Sequence, residues 1–219
     1  MKHIECVSIW QLNAERYMVI YMKIIGITGG VGSGKSTLLE YMVKKYNCKV
    51  ILADEVAHRV KEPGQPCYKK LKALLSSDIL NEDGTINKRA MAAKIFESEE
   101  LLKKVNDIIH PAVKGVILEE IADARKKGVL DFLFLEAALL IEDGYLNIVD
   151  EMWYIYARED VRRMRLKSSR NYSDEKIDAI MKSQLTEDEF RKHCIFIIDN
   201  SDGIDGACQQ IDMKLGEYL

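Results

Sequence analysis

One stretch of the sequence has residue types and spacing suited to binding a nucleoside triphosphate. Residues 29–36 read Gly-Gly-Val-Gly-Ser-Gly-Lys-Ser, which fits the P-loop pattern G-x-x-x-x-G-K-S/T. Glycines let the backbone turn tightly and direct its N–H groups at phosphate oxygens. Lys35 can reach the β- and γ-phosphates, and the hydroxyl of Ser36 can ligate Mg²⁺. A chance glycine-rich turn is the alternative interpretation of this stretch.

The flanking residues favour the phosphate-binding interpretation. A short apolar strand is predicted over 23–28 and a helix over 37–46, which is the order of elements that the motif requires. The N-terminus of that helix adds partial positive charge where the phosphates would lie. The pattern therefore predicts nucleotide binding, but it does not say which molecule receives the phosphate.

Two carboxylates follow other predicted strands. Asp54 comes just after a strand at 48–52, and Glu136 just after an apolar strand at 129–135. Ligands gather at the carboxyl edge of a parallel sheet, so Asp54, on a strand expected beside the P-loop strand, is a candidate for chemistry. Glu136 resembles a Walker B acid that holds the Mg²⁺ shell. The alternatives are that Asp54 caps a helix starting at residue 55, and that Glu136 is an ordinary strand end.

A basic run lies between two further predicted strands, at 152–157 and 194–198. A solvated helix face is the usual explanation for such a run. Arginines also stabilise the charge that develops in phosphoryl transfer, and a movable arginine-bearing flap can close over a triphosphate. Beside a P-loop we favour this second interpretation. The six cations are Arg158, Arg162, Arg163, Arg165, Lys167 and Arg170.

Residues 55–128 have helical patterns and no strong strand. Helices are predicted at 87–96 and 98–109, and Pro111 is expected near the first position of a longer helix that ends at Gly128. A helical block of this size between two strands favours an inserted substrate-binding region. A plain helical layer covering the sheet is the alternative.

Composition limits the class of protein. The chain has 219 residues, 47% hydrophobic and 31% charged, with a formal net charge of −3, as in one globular domain without broad affinity for nucleic acid or acidic membrane. The five cysteines and four histidines show no disulfide or metal-ligand spacing. We expect a cytoplasmic monomer without a membrane or nucleic-acid partner.

Residues 1–21 precede the P-loop strand and carry polar side chains that interrupt any signal-peptide core. We interpret Met22 as the natural start and the preceding segment as the product of an upstream start choice. A genuine extension that packs on the domain is the alternative.

Three classes of nucleotide-binding protein compete: a small-molecule kinase, a GTPase switch and a transport ATPase. The sequence lacks the D-x-x-G and N-K-x-D motifs of GTPases and the L-S-G-G-Q-type signature of transport ATPases. A kinase needs a base near the P-loop and an arginine lid, and the sequence offers candidates for both.

From Met22 to about Gly203 the ordered motifs resemble the dephospho-coenzyme A kinase family. The resemblance lies in the P-loop, Ala-Asp-Glu-Val-Ala at 53–57, Glu-Pro-Gly at 62–64, Asp-Gly-Thr-Ile at 83–86 with Arg89, Ile-His-Pro at 109–111, Leu-Leu-Ile-Glu at 139–142, Arg165, Arg170 and Gln184, and Ile-Asp-Asn at 198–200.

The resemblance implies a P-loop NTPase-type, five-stranded parallel sheet flanked by helices, with a coenzyme A-binding region at 55–128 and a lid at 158–190. It implies ATP and Mg²⁺, and the ribose 3′-hydroxyl of dephospho-coenzyme A as acceptor; another nucleoside or nucleotide acceptor is the alternative. The implied catalytic residues are Asp54, Lys35, Arg165 and Arg170. ATP would be bound by Gly32, Ser33, Gly34, Lys35, Ser36, Thr37 and Asn200, and the metal by Ser36 and Glu136. The acceptor would be bound by Arg89 and His110, with Lys69 and Lys72 as further candidates.

Two positions depart from the family pattern. Leu52 stands where the family often has a first acid, which makes Asp54 the only candidate base at that strand end. The family stretch D-x-P-L-L is replaced by Glu-Ala-Ala-Leu-Leu at 136–140, so Glu136 keeps the acid with one more methylene, and Ala138 replaces a rigid proline.

Overall fold

A computed structural model describes residues 22–96, 98–137, 140–142 and 144–219. Its strands pair in parallel in the order β2-β3-β1-β4-β5, which confirms the predicted five-stranded sheet. The predicted strand positions are correct to within a few residues. The strands are β1 (Lys23–Thr28), β2 (Cys48–Leu52), β3 (Phe132–Glu136), β4 (Glu151–Tyr156) and β5 (Phe196–Asp199).

Helices cover both faces of the sheet, and the segment between β2 and β3 is helical as predicted. The α-helices of the described residues are α1 (Lys35–Lys45), α2 (Ala53–Arg59), α3 (Pro66–Leu75), α4 (Lys88–Phe96), α5 (Glu99–Lys127), α6 (Glu159–Arg170), α7 (Asp174–Lys182), α8 (Glu187–His193) and α9 (Ile204–Gly216).

Two apolar cores hold these layers together. On one face, Leu38 and Met42 of α1 and Ile211 of α9 pack with the buried side chains of β1, β3 and β4. On the other face, α3 and α5 pack against Leu133 and Leu135 of β3. Burial of each such side chain contributes about 1.5–3 kcal/mol. The cores therefore fix the carboxyl edge of the sheet, where the P-loop lies.

The strand order corrects one prediction. β3 lies between β1 and β2, so Asp54 is not on the strand next to the P-loop strand; Glu136 pairs with Ile27 on one side and Leu52 on the other. The composition explains the order, because residues 132–135 are fully buried and suit an inner strand. β2 carries Lys49 and is mostly half-buried, which suits an edge.

Helix α5 corrects a second prediction. It runs through 29 residues without interruption and contains Pro111, which does not open a new helix. Proline removes one hydrogen bond and disfavours a helix interior. Val105 before it and Val113 and Ile117 after it are all buried in the same core, which keeps both halves of the helix in line.

Candidate active site

The P-loop leaves β1 and enters α1 through a left-handed turn at Gly34. Its φ is 94°, and a Cβ there would lie 2.3 Å from Nδ2 of Asn200. Both conformation and space therefore require glycine. Because this turn forms the N-cap, α1 begins at Lys35, two residues before its predicted start.

The back of the P-loop is held from β5 and α6. Asn200 is buried, and its Nδ2 donates to the carbonyl of Ser33 at 2.7 Å. Arg165 donates to the same carbonyl at 3.3 Å and to the carbonyl of Asn200 at 2.8 Å. In this structure both predicted side chains therefore support the loop through its backbone.

Lys35 lies across the mouth of the loop. Its Nζ donates to the carbonyl of Gly29 at 2.7 Å and lies 3.8 Å from Oε1 of Glu136. Burial lowers the pKa of Lys35, the charge of Glu136 opposes this, and the charge of Arg162 adds to it. Burial raises the pKa of Glu136, and Lys35 opposes that shift. Burial therefore disfavours the charged form of each group. A bound anion near Lys35, or a bound cation near Glu136, would stabilise the charged form.

A cleft of about 1000 Å³ joins the P-loop to the predicted catalytic side chains. Along α1 and the edge strand β2 it is lined by Leu39, Val43, Val50 and Leu52, together with Glu40 and Lys44. The cleft thus has a polar end at the P-loop and a more apolar end along α1 and β2. Its polar end is lined by residues 29–37, Asp54, Glu55, Glu136, Arg165 and Arg170.

Asp54 is not a helix cap. Helix α2 begins at Ala53 with Leu52 as N-cap, so Asp54 lies in the first turn, exposed to solvent. No hydrogen bond or ion pair joins its carboxylate to another residue that the structure describes. The capping interpretation is therefore wrong, and the carboxylate is available to a ligand in the cleft.

Two side chains, one on α6 and one just after α7, hold the tip of the P-loop at Val31. Nε of Arg162 donates to the carbonyl of Val31 at 2.9 Å. Oε1 of Gln184 accepts from the N–H of Val31 at 3.1 Å and from Arg162 at 2.9 Å. These contacts add Arg162 to the site, a residue that was only one cation among six in the sequence.

A signal for Arg162 existed in the spacing. Arg162 and Arg165 are three residues apart and share a helix face, and both reach the P-loop. Arg163 lies on another face and pairs with Glu159 and Asp178. The pattern did not show which face meets the loop, because that depends on how α6 packs.

Comparison with known proteins identifies the family. The sequence model of the dephospho-CoA kinase family matches residues 23–206, most of the chain. The chain belongs to this family. A dephospho-CoA kinase from Dehalococcoides mccartyi is 34% identical over 193 residues, which cover 88% of this chain and 93% of the relative.

Solved structures agree with the observed fold. A protein from Thermus thermophilus superposes with a TM-score of 0.77 at 27% identity, covering 90% of this chain and 98% of the other. A dephospho-CoA kinase from Campylobacter jejuni gives a TM-score of 0.68 at 24% identity, covering 89% and 96%.

Membership of the dephospho-CoA kinase family settles the class left open by the motifs. The chain is a phosphotransferase that makes coenzyme A in the last step of its biosynthesis, and the nucleoside or nucleotide kinase alternative is not favoured. A P-loop kinase of this family uses ATP.

Two predicted acceptor-binding residues lie away from the cleft, and their role remains a prediction. Arg89 and His110 are exposed on α4 and α5 and do not line the cleft. Residues 1–21, Ala138 and Leu139, on which the start-site hypothesis and part of the family pattern depend, lie outside the described residues.

The polar end of the cleft fits a magnesium ion. Among the described residues, no three His, Cys, Asp or Glu side chains form a metal-binding group. Mg²⁺ in kinases needs only one or two protein ligands, because phosphates and waters supply the rest. Ser36 is exposed in the first turn of α1, and the Glu136 carboxylate faces the same cleft. Both provide the oxygen ligands that Mg²⁺ prefers.

Proposed function

We propose that this dephospho-CoA kinase transfers the γ-phosphoryl group of ATP to the ribose 3′-hydroxyl in the cleft described above, with Asp54 as the base. One observation carries the proposal: no hydrogen bond or ion pair from another described residue engages the Asp54 carboxylate, and Asp54 lines the same cleft as Lys35 and the lid arginines. Residues 29–37 bind the triphosphate through backbone N–H groups, and Lys35 moves from the carbonyl of Gly29 to the β- and γ-phosphates.

Asp54 orients the acceptor hydroxyl and takes its proton late. In phosphoryl transfer the transition state is loose in most analyses, so positioning and charge stabilisation dominate over activation of the nucleophile. An exposed carboxylate at the start of α2 can meet a hydroxyl that enters from the apolar end of the cleft.

Ser36 and Glu136 would hold Mg²⁺ in this scheme. When bound between these two side chains, Mg²⁺ would supply positive charge that neutralises the phosphates during transfer. The carboxylate of Glu136 would hold the metal only when it is ionised, and burial raises the pKa of Glu136. Lys35, close by, favours the ionised form.

Arg165 and Arg170 stabilise the transferring group when the lid segment at 158–190 closes. Arg165 already reaches the P-loop carbonyl of Ser33, and Arg170 lines the cleft. Interactions that strengthen only in the transition state raise the rate more than they tighten substrate binding. Asn200 supports the nucleotide site through the loop.

The region at 55–128 holds dephospho-coenzyme A, whose diphosphate needs cations. Lys88 Nζ lies 2.6 Å from Nε2 of His58, one helical turn beyond Asp54 on α2. Burial lowers the pKa of Lys61, and the charge of Lys88 adds to this. Within the described ranges neither lysine has a carboxylate at ion-pairing distance. Arg89, His110, Lys69 and Lys72 remain the other candidate contacts of the acceptor.

The enzyme acts as a monomer in the cytoplasm. Among the described residues, no helix combines the length and the apolar character that crossing a membrane requires. Size-exclusion chromatography with light scattering checks the monomer, and a dimer mass would contradict it.

Product analysis tests the reaction and its position. Incubation with ATP, Mg²⁺ and dephospho-coenzyme A should give a product that co-elutes with coenzyme A and is identical to it by mass and phosphorus NMR. A phosphate at another hydroxyl would contradict the proposed geometry. The Lys35→Met variant serves as the control that removes transfer while leaving the acceptor region intact.

A further inference from the structure

At the tip of the P-loop, both backbone polar groups of Val31 are held by side chains of the proposed lid. Arg162 of α6 holds its carbonyl, and Gln184, just after α7, holds its N–H. Arg162 also donates to the same oxygen of Gln184. These three hydrogen bonds close a ring that we call the Val31 latch, consisting of Val31, Arg162 and Gln184.

The latch is closely packed onto the loop. A Cβ at Gly30 would lie 2.4 Å from an Arg162 guanidinium nitrogen, so the planar group rests directly on the loop backbone. No carboxylate in the described part of the chain forms an ion pair with Arg162. Burial lowers the pKa of Arg162, an effect that the charges of Tyr154 and Glu159 oppose. The buried guanidinium of Arg162 is instead held by its hydrogen bonds to Val31 and Gln184.

We propose that Arg162 and Gln184 are positioning residues that couple closure of the lid segment to the conformation of the P-loop. With both backbone polar groups of Val31 held, the peptide planes on its two sides are fixed. Those planes set the direction of the N–H groups that follow at residues 32–35 and face the phosphates. The inference relies on the proposed function only for its kinetic readout.

The geometry of the latch requires an arginine side chain at position 162. Arginine presents its donors in a rigid planar fork, whereas lysine offers one flexible ammonium group. A residue that acts by charge on a phosphate would tolerate lysine. A residue that holds Val31 and Gln184 together would not, so Arg162→Lys should be as impaired as Arg162→Ala.

Hydrogen exchange in the nucleotide-free protein tests the latch without any acceptor. Amides of residues 29–34 should exchange faster in Arg162→Ala, Arg162→Lys and Gln184→Ala than in the wild type, because the tip opens more often. Arg163→Ala is the matched control, since Arg163 lies on the same helix and pairs with Glu159 and Asp178. Exchange in 29–34 should be unchanged in this control.

Steady-state kinetics with ATP, Mg²⁺ and dephospho-coenzyme A test the positioning role. Arg162→Ala should lower kcat by about 10- to 100-fold, the scale of a small misplacement of reacting groups. The KM values should change much less. The Arg162→Ala/Gln184→Ala double variant should be no worse than Arg162→Ala alone, because the two residues act as one unit.

Each result decides the proposal. Unchanged exchange in 29–34, an unchanged kcat, additive losses in the double variant, or rescue by Arg162→Lys would overturn it. Thermal unfolding of each variant confirms that the fold is intact, and Gln184→Ala provides the test if Arg162→Ala does not fold. A wild type without turnover would contradict the proposed function, whereas the exchange result would still decide the latch.

Discussion

Among the single residues of the site, Asp54 has the most specific proposed role, that of the base. Asp54→Asn keeps the size and polarity of the side chain but cannot accept a proton. Loss of a general base typically costs about 10²- to 10⁴-fold in rate, so kcat should fall by that order. ATP binding, measured by calorimetry, should stay close to the wild-type value because the P-loop is untouched.

A neighbouring carboxylate provides the control for Asp54. Glu55 also lines the cleft, but it is not the residue assigned to the acceptor hydroxyl. Glu55→Gln should therefore retain most of the activity. Full activity in Asp54→Asn, or an equal loss in both variants, would contradict the assignment of the base.

Glu136 gives a prediction about pH. Burial raises the pKa of Glu136, so its carboxylate becomes protonated at a higher pH than that of an ordinary glutamate. In model peptides the pKa of glutamate is about 4.3. The ionised form is the one that would hold Mg²⁺, so kcat/KM for ATP should fall as pH drops through the raised pKa. In Glu136→Gln the activity should be low at all pH values, and this acidic limb should move to lower pH.

The pH–rate profile at saturating and at limiting Mg²⁺ checks this role of Glu136. A weaker apparent affinity for Mg²⁺ in Glu136→Gln is the expected companion result. The same acidic limb in both proteins, with unchanged Mg²⁺ dependence, would show that Glu136 has no part in metal binding.

The P-loop, Asp54 and Glu136 could be predicted because each depends on local pattern. Glycine spacing before a Lys-Ser pair, and an acid directly after an apolar strand, are visible in a few consecutive residues. Arg162 could not be singled out, because its role depends on which face of α6 meets the loop. That information is not local.

At the scale of elements, the opposite end of the sheet has its own polar cluster. Glu151, at the start of β4, accepts from Trp153 at 3.0 Å and from Tyr218 at 2.7 Å, and pairs with Lys23 of β1. Burial alone would raise the pKa of Glu151, but these hydrogen bonds and the charge of Lys23 lower it overall. The cluster joins two strands to the chain after α9.

Glu151→Gln should destabilise the protein in a pH-dependent way. The lowered pKa means that ionised Glu151 favours the folded state above about pH 4.3, and that this advantage is lost as pH falls through the folded-state value. At neutral pH the loss should be about 1.5–3 kcal/mol, the scale of charge-assisted hydrogen bonds.

Urea unfolding at neutral and acidic pH measures the contribution of Glu151. The difference between wild type and Glu151→Gln should shrink toward zero in acid. Glu217→Gln is the control, because its partner Lys214 is nearby but the pair is exposed and contributes little. A pH-independent difference for Glu151→Gln would contradict the electrostatic explanation.

The elements themselves were predictable to different degrees. Strands such as β1 and β4 are evident as apolar runs. The position of β3 between β1 and β2 depends on pairing between distant residues, so the expectation that β2 lies beside β1 is wrong. From the sequence, Pro111 predicts a helix start, because proline disfavours helix interiors. Buried residues on both sides of it keep α5 continuous, and that packing is not readable from the proline alone.

At the scale of the whole molecule, three parts meet at one edge of the sheet. The P-loop comes from the centre of the sheet, Asp54 follows its edge strand, and the proposed lid extends from β4 and returns to β5. Both Arg165 and Arg162 connect the lid segment to the loop. Nucleotide and acceptor would therefore approach from different sides and meet beneath the lid.

A coupled assay of ADP release with ATP and Mg²⁺ tests the assigned reaction and its acceptor. It compares dephospho-coenzyme A with adenosine, AMP and CMP as acceptors. We predict turnover with dephospho-coenzyme A alone, and its loss in Asp54→Asn. Comparable turnover with a nucleotide, or none with dephospho-coenzyme A, would contradict dephospho-coenzyme A as the acceptor.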